Sequence, residues 1–297
     1  MPPRPAEMPP ALSDLLELLD LEYIEENIFR GGNRNLGSRR VFGGQVLAQA
    51  LVAARRTVDE DRVAHSVHAY FILPGDIAAP IVYDVDRIRD GGSFTTRRVR
   101  AIQHGRPIFN LSMSFHRPEE GHEHQDPMPT GYPGPDELPD ELDLLRQESD
   151  RFPEAIRPFV LQERPFHFRP IDPVTLFDPE PRPARRAAWF KTTAPLADDL
   201  ATHQALLAYA SDHGFLPTAL RPHGLSWVQR DMQVASLDHT LWFHRPFRVD
   251  EWLLYVAESP SAYGARGFIR GAIYQADGTL VASAAQEGLM RLREPKR

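Results

Sequence analysis

The chain predicts an α+β protein built from two helix-on-antiparallel-sheet units in tandem, forming a pseudo-dimer. Residues 43–116 read as one helix followed by four strand-like runs, and residues 201–292 repeat that order. Short turn signals separate the runs, as an antiparallel meander requires. A stretch rich in proline and acid divides the two segments.

The elements follow in order. Residues 1–12 are Pro-rich and expected to be loose, and Leu15, Leu16, Leu18 and Leu19 suggest a short helix packed on the body. Residues 21–42 read as a strand plus a Gly/Arg-rich loop. Gly43-Gly44 opens the first long helix, with Val46, Leu47, Ala50, Leu51 and Ala54 at helical spacing. Its alanines let it lie close against a sheet, and its two glycines let backbone amides approach a ligand oxygen. Strands are predicted at 65–73, 79–89, 94–104 and 106–116, broken at Pro74-Gly75, Asp90-Gly91-Gly92 and His104-Gly105. Residues 151–184 are irregular, with a short helix near 152–162. The second unit opens with a strand at 185–194 and a helix at 201–215, its stripe carried by Leu206, Leu207 and Ala210. Strands are predicted at 232–244, 251–259, 265–276 and 279–292, with Ala276-Asp277-Gly278 as the counterpart of His104-Gly105. An ungapped offset of 172 residues pairs Tyr83 with Tyr255, Arg98 with Arg270 and Gln103 with Gln275. Such identities are sparse, so the repeat rests on element order and turn placement. The expected division is 12–117 for the first unit, 118–164 for the linker and 165–297 for the second unit. Two such units can join sheet edge to sheet edge, hiding two edges and leaving a groove between them.

At 297 residues the chain can hold two cores, and its 42% hydrophobic, 25% charged composition is that of a soluble globular protein. No run is long and apolar enough for a membrane span, and the N-terminus lacks an apolar signal core. The chain has no cysteine, which excludes disulfides, a thiol nucleophile and thiolate metal sites, and fits a reducing cytoplasm. Residues 118–150 hold eleven Asp/Glu against one Arg, leaving a body with 33 basic and 30 acidic residues. That mildly basic body tolerates an anionic small substrate. It shows no Lys/Arg stripe of the kind a nucleic acid needs.

Three residues in the second half stand out. Asp212 sits near the end of the second helix among Tyr209, Ala210, Phe215 and Leu216. It is either a solvated residue at a helix end or a carboxylate held toward the groove, where burial would raise its pKa. Ser236 reads as an ordinary strand hydroxyl or as a water ligand, and Gln286 follows four small residues that leave room on its strand. His239 and His244 point to opposite faces of a regular strand, so they read as core or rim histidines rather than a metal pair. His122, Glu123, His124 and Asp126 have metal-ligand chemistry but sit in the acidic linker, where adventitious binding is the simpler reading. Arg266 and Arg270 share a strand face with Phe268 and read as solvent-facing ion-pair partners, with an anionic cofactor handle as the alternative. No Gly-x-Ser-x-Gly elbow, Walker loop or Gly-x-Gly-x-x-Gly occurs. No metal or cofactor is expected.

Several segments resemble the TesB-type acyl-CoA thioesterase II family: Gly43-Gly44-Gln45-Val46-Leu47-Ala48-Gln49-Ala50, Tyr209-Ala210-Ser211-Asp212, Leu237-Asp238-His239, Trp242-Phe243-His244-Arg245-Pro246-Phe247, and Gln286-Glu287-Gly288. The resemblance covers nearly all of 12–293 and is weakest across 118–184. It implies a double hotdog fold, an acyl-CoA substrate and hydrolysis by an activated water. It also implies a trio of Asp212 on the second helix, Ser236 on the following strand and Gln286 on the last. The hydroxyl position varies between Thr and Ser in that family. The C-terminal Glu-Pro-Lys-Arg does not look like the peroxisomal tripeptide of eukaryotic relatives, so cytoplasm is the expected compartment. Further association into a homodimer or tetramer is expected. Two other readings stand beside it: a hotdog-fold acyl-CoA dehydratase, and a non-catalytic acyl-CoA-binding protein. The first repeat looks inert, with Ser114 where the offset puts the counterpart of Gln286.

Overall fold

The structure, a computed structural model, describes residues 8–37 and 40–293. The start of the Pro-rich segment, 1–7, and the C-terminal Glu-Pro-Lys-Arg lie outside the described residues. Helix α1 (Pro10–Leu19) is followed by the hairpin β1 (Glu22–Glu25) and β2 (Ile28–Gly31). The first repeat then runs α2 (Gly43–Arg55), β3 (Val63–Phe71), β4 (Ile81–Asp90), β5 (Phe94–Gln103) and β6 (Arg106–His116). The connecting segment carries short helices α3 (Glu141–Gln147) and α4 (Arg157–Val160). The second repeat comprises β7 (Phe166–Pro170), β8 (Arg185–Thr192), α5 (Leu200–Ser211), α6 (Pro217–Leu220), β9 (Met232–Ser236), β10 (Asp238–Phe243), β11 (Leu253–Tyr263), β12 (Arg266–Gln275) and β13 (Leu280–Leu292).

All these strands form one antiparallel sheet in the order β1-β2-β4-β5-β6-β3-β10-β13-β12-β11-β8-β7, with β9 also on β13. The repeats join through β3 and β10, where Val67 faces Leu241 and His68 faces Thr240. Helices α2 and α5 pack on each other over this seam, and Gln204 of α5 donates across it to the Ala64 carbonyl at 2.9 Å. The predicted stripes are the ones buried: Val46, Leu47, Ala50, Leu51 and Ala54 on α2, Leu206, Leu207 and Ala210 on α5.

The repeat offset is borne out in the hairpins. Strands β4 and β11, and β5 and β12, begin 172 residues apart. Beyond that hairpin the second repeat gains one residue at the Ala276–Gly278 turn. Arg97 faces Met113 in the first repeat, and Ile269 faces Gln286 in the second. The register counterpart of Gln286 is therefore Met113, not Ser114.

Three expectations need correction. The helix predicted to 215 ends at Ser211, and Asp212 is its C-cap. Strand β7 lies inside a stretch expected to be irregular. The strand expected over 232–244 breaks at Leu237. Ser236 pairs with Gly288 and Thr240 with Ala285, so β9–β10 carries one residue more than β13 between those points. This is a β-bulge, and bulges re-aim the side chains beside them.

The linker is not featureless either. Asp140 caps α3 by accepting from the Leu142 amide, Glu141 and Asp143 occupy its first turn, and Leu142 and Leu145 are buried. Acid at a helix N-terminus complements the helix dipole, so part of the acid excess encodes structure.

Candidate active site

Asp212, Ser236 and Gln286 come together at the seam. Gln286 Nε2 donates to Ser236 Oγ at 2.6 Å, and the Ser236 hydroxyl donates to Asp212 Oδ1 at 3.3 Å. Gln286 and the Gly44 amide at the start of α2 also lie on the Asp212 carboxylate and lower its pKa. The first repeat thus contributes its helix N-terminus to a site whose side chains belong to the second. The glycines there are a packing requirement. A Cβ on Gly43 would lie 2.7 Å from Asp212 Oδ2, and one on Gly44 would lie 2.4 Å from the Tyr209 carbonyl oxygen. The amides expected to approach a ligand oxygen lie instead against this carboxylate.

Burial raises the Asp212 pKa to about 6, although hydrogen bonds from Gln286, Ser236 and Gly44 pull the other way. Asp212 and Ser236 still keep part of their surface in solvent, while Gln286 is buried. A carboxylate of this kind is ionised at neutral pH and basic enough to take a proton.

His239 is the residue sequence reasoning left in the core, and it is indeed buried. Its ring also spans two groups of the site. Nδ1 lies 2.8 Å from Gln286 Oε1, and Nε2 lies 2.9 Å from Ser211 Oγ. Burial pushes its pKa down to about 4, so the ring is neutral, with one donor and one acceptor. With Gln286 Oε1 as acceptor, Nδ1–H donates to it, and Nε2 faces the Ser211 hydroxyl, which also donates to the Ala208 carbonyl at 2.9 Å. In this arrangement the Gln286 amide has its Oε1 toward His239 and its NH₂ toward Ser236. In a regular strand Ser236 and His239, three apart, would face opposite ways; the bulge lets both reach Gln286. The signal in the sequence was weak, since a one-residue bulge has no local signature here.

The other candidates fall elsewhere. Arg266 pairs with Glu287 at 2.9 Å and Arg270 with Glu258 at 2.5 Å, all with solvent-exposed side chains, as expected. His244 meets Ser283 at 2.8 Å, away from the trio. His122, Glu123, His124 and Asp126 are all exposed. No group of three metal-ligating side chains is found among the described residues.

A cavity of about 800 Å³ lies near the trio; none of the three residues lines it, but chain neighbours of two of them do. Tyr209, His213, Leu216 and Val234, neighbours of Asp212 and Ser236 in the chain, form its inner wall. The cavity lies at the C-terminal end of α5, with β7 on one side and α3 and α4 on the other.

Comparison with known proteins gives the family of the chain. Residues 163–289 match the acyl-CoA thioesterase family, and residues 32–116 match the N-terminal domain of acyl-CoA thioesterases. Acyl-CoA thioesterase 2 of Haemophilus influenzae is 44% identical over 283 residues, covering 95% of this chain and 99% of its own length. The chain belongs to the acyl-CoA thioesterase family. The crystal structure of acyl-CoA thioesterase II TesB2 from Mycobacterium marinum superposes with a TM-score of 0.77 at 43% identity, covering 94% of this chain and 99% of that one. A protein with a hot dog fold from Alicyclobacillus acidocaldarius, only 20% identical, shares the architecture at a TM-score of 0.74 over 95% of this chain and 99% of its own. The fold is thus the double hotdog. The two family matches leave residues 117–162 uncovered. No helix among the described residues is long and apolar enough to cross a membrane.

Proposed function

We propose that the protein hydrolyses acyl-CoA thioesters to a free acid and coenzyme A, with Asp212 as general base. The observation that carries this reading is the partly solvated carboxylate with its pKa near 6, held by Ser236 and Gln286 in a chain of this family. A thioester carbonyl is poorly stabilised by resonance and a thiolate leaves readily, so a positioned water can attack without a covalent intermediate. Ser236 and Gln286 would orient that water. Asp212 would take its proton as the C–O bond forms, and the C–S bond would break as the tetrahedral centre collapses.

His239 does not transfer a proton in this scheme. It is neutral, buried and engaged at both nitrogens, and serves to position Gln286. The N-terminal end of α2, carrying partial positive charge, keeps the desolvated carboxylate ionisable. Release of free thiol from acyl-CoA by the purified protein, followed with a thiol reagent, tests the reading. Tight acyl-CoA binding with no thiol released would reject it in favour of a non-catalytic binder.

A further inference from the structure

The linker that neither family match covers is built into the wall of the cavity. From α3, Leu144 and Leu145 face it; from α4, Phe159 and Val160 do. Its charged lining groups are largely spent on one another. Glu141 accepts from Arg164 Nη1 at 2.5 Å and from Arg186 Nη2 at 3.1 Å, and meets His213 Nε2 at 2.8 Å. Arg221 is likewise paired with Asp172. What remains facing inward is mainly hydrocarbon, so the occupant this chemistry fits is an apolar chain.

The acid of the linker has a definite counterpart. Asp140 pairs with His167 at 3.0 Å, Asp136 with Arg169 at 3.2 Å, and Glu141 with Arg164. These bonds run along β7 and Arg164, two residues before it, so the acidic segment is docked on this strand rather than free. Glu141 is the inner end of this row. Through His213 it reaches the residue next to Asp212, and Arg186, its other partner, donates to the Gly214 carbonyl at 2.7 Å. Against the opposing effect of burial, His213 holds the Glu141 carboxylate well below the usual range, joined by Arg164 and Arg186. It therefore stays charged and tied at neutral pH.

We propose that this cavity receives the acyl chain, that α3 and α4 are its roof, and that Glu141 is the positioning residue that holds the roof against α5. The proposal rests on the thioesterase reading and adds that the linker, not the two repeats, sets the chain length accepted.

The experiment compares wild type, Val160→Trp and Glu141→Gln on hexanoyl-, lauroyl- and palmitoyl-CoA. Val160→Trp fills the cavity. It should cut kcat/KM for the two longer substrates by about tenfold or more while leaving hexanoyl-CoA within about twofold. Glu141→Gln should change the palmitoyl-to-hexanoyl ratio by about fivefold, mostly in KM, with Glu141→Asp restoring it. An equal loss on every length, or no change in the ratio, overturns the proposal. Should Val160→Trp fail to fold, Leu144→Phe is the second filling variant. If wild type releases no thiol from any substrate, the thioesterase reading fails, but the cavity remains testable. Palmitate should give a saturable change in the fluorescence of Trp227, which lines the cavity, and the change should be lost in Trp227→Phe and weakened in Val160→Trp. Absence of a saturable signal in wild type overturns the proposal independently.

Discussion

The two repeats share a backbone device and differ in what they hang on it. Both carry a bulge in the strand that joins the seam: Ala64 faces Phe115 and Ser66 faces Ser114, just as Ser236 faces Gly288 ahead of the seam pairing of β10. At matching registers, however, Ala64 replaces Ser236, Val67 replaces His239 and Met113 replaces Gln286. Val67 packs directly across from Met113, an apolar pair where the second repeat has a hydrogen-bonded imidazole and amide. The helix ends differ in the same sense. The C-cap of α2 is Arg56 and that of α5 is Asp212. Near the end of α2, buried Arg97 donates to Thr57 Oγ1 at 2.8 Å and to the Thr57 carbonyl at 2.9 Å, closing the region. The bulge is therefore architecture, and chemistry is a matter of which side chains occupy it. The first repeat keeps one stake in the site, the helix start at Gly43-Gly44.

The comparison breaks most directly at Asp212. Asp212→Asn keeps the shape and removes the proposed base, and kcat should fall by about 10²–10⁴-fold. Near-wild-type turnover would reject the assignment. In the wild type, kcat should rise with pH and level off above about 6, where the carboxylate is ionised. A flat profile from pH 5 to 8 would show that another group limits the rate.

Making the second repeat resemble the first is the next largest change. Gln286→Met and His239→Val each install the first repeat's residue. Gln286→Met should cost about 10²-fold in kcat with little change in KM, as loss of a water ligand would. His239→Val should cost less, about tenfold, because Gln286 survives but is no longer oriented. A pure KM effect in Gln286→Met would recast that residue as a binder of substrate.

Removing the base should also stabilise the fold. Asp212 has a folded pKa of about 6, above its ordinary value, so the folded state binds a proton more tightly than the unfolded chain. Its favourable contribution is complete below the unfolded pKa and is lost as pH rises through about 6. At pH 8 the ionised, desolvated carboxylate weighs against folding, and Asp212→Asn should gain about 1–2 kcal/mol there, shrinking toward zero at pH 4. Denaturant melts at the two pH values check this. An equal gain at both would trace the effect to something other than ionisation.

Much of this was legible in the residues. The order of elements, the hairpin turns and the buried stripes of α2 and α5 follow from periodicity and glycine placement, which are local signals. The trio was legible only through resemblance, because an Asp, a Ser and a Gln on three elements have no spacing rule. His239 was rightly read as a core residue, but its contact with Gln286 was not legible, because it depends on a one-residue bulge and strict strand alternation points it away from Ser236. The linker was read from composition as a spacer. The pattern Asp140-Glu141-Leu142-Asp143-Leu144-Leu145-Arg146, with acid first, apolar residues three apart and a base last, was a helix signal hidden inside the charge excess.

The smallest expected effect concerns a feature both repeats retain. Asp86 faces Arg98 across β4–β5 at 2.6 Å, and Glu258 faces Arg270 across β11–β12 at 2.5 Å. Both are directly opposed cross-strand pairs with solvent-exposed side chains, so water and salt screen them, and each should contribute about 0.2–1 kcal/mol. Arg98→Met and Arg270→Met should therefore lower stability by similar small amounts and leave turnover alone. The informative measurement is KM for acyl-CoA in Arg270→Met. If it stays at the wild-type value, the pair is a strand clip common to the two repeats. If it rises several-fold while Arg98→Met does nothing, Arg270 holds the anionic end of coenzyme A, and the second repeat has diverged on its outer face as well as in its bulge.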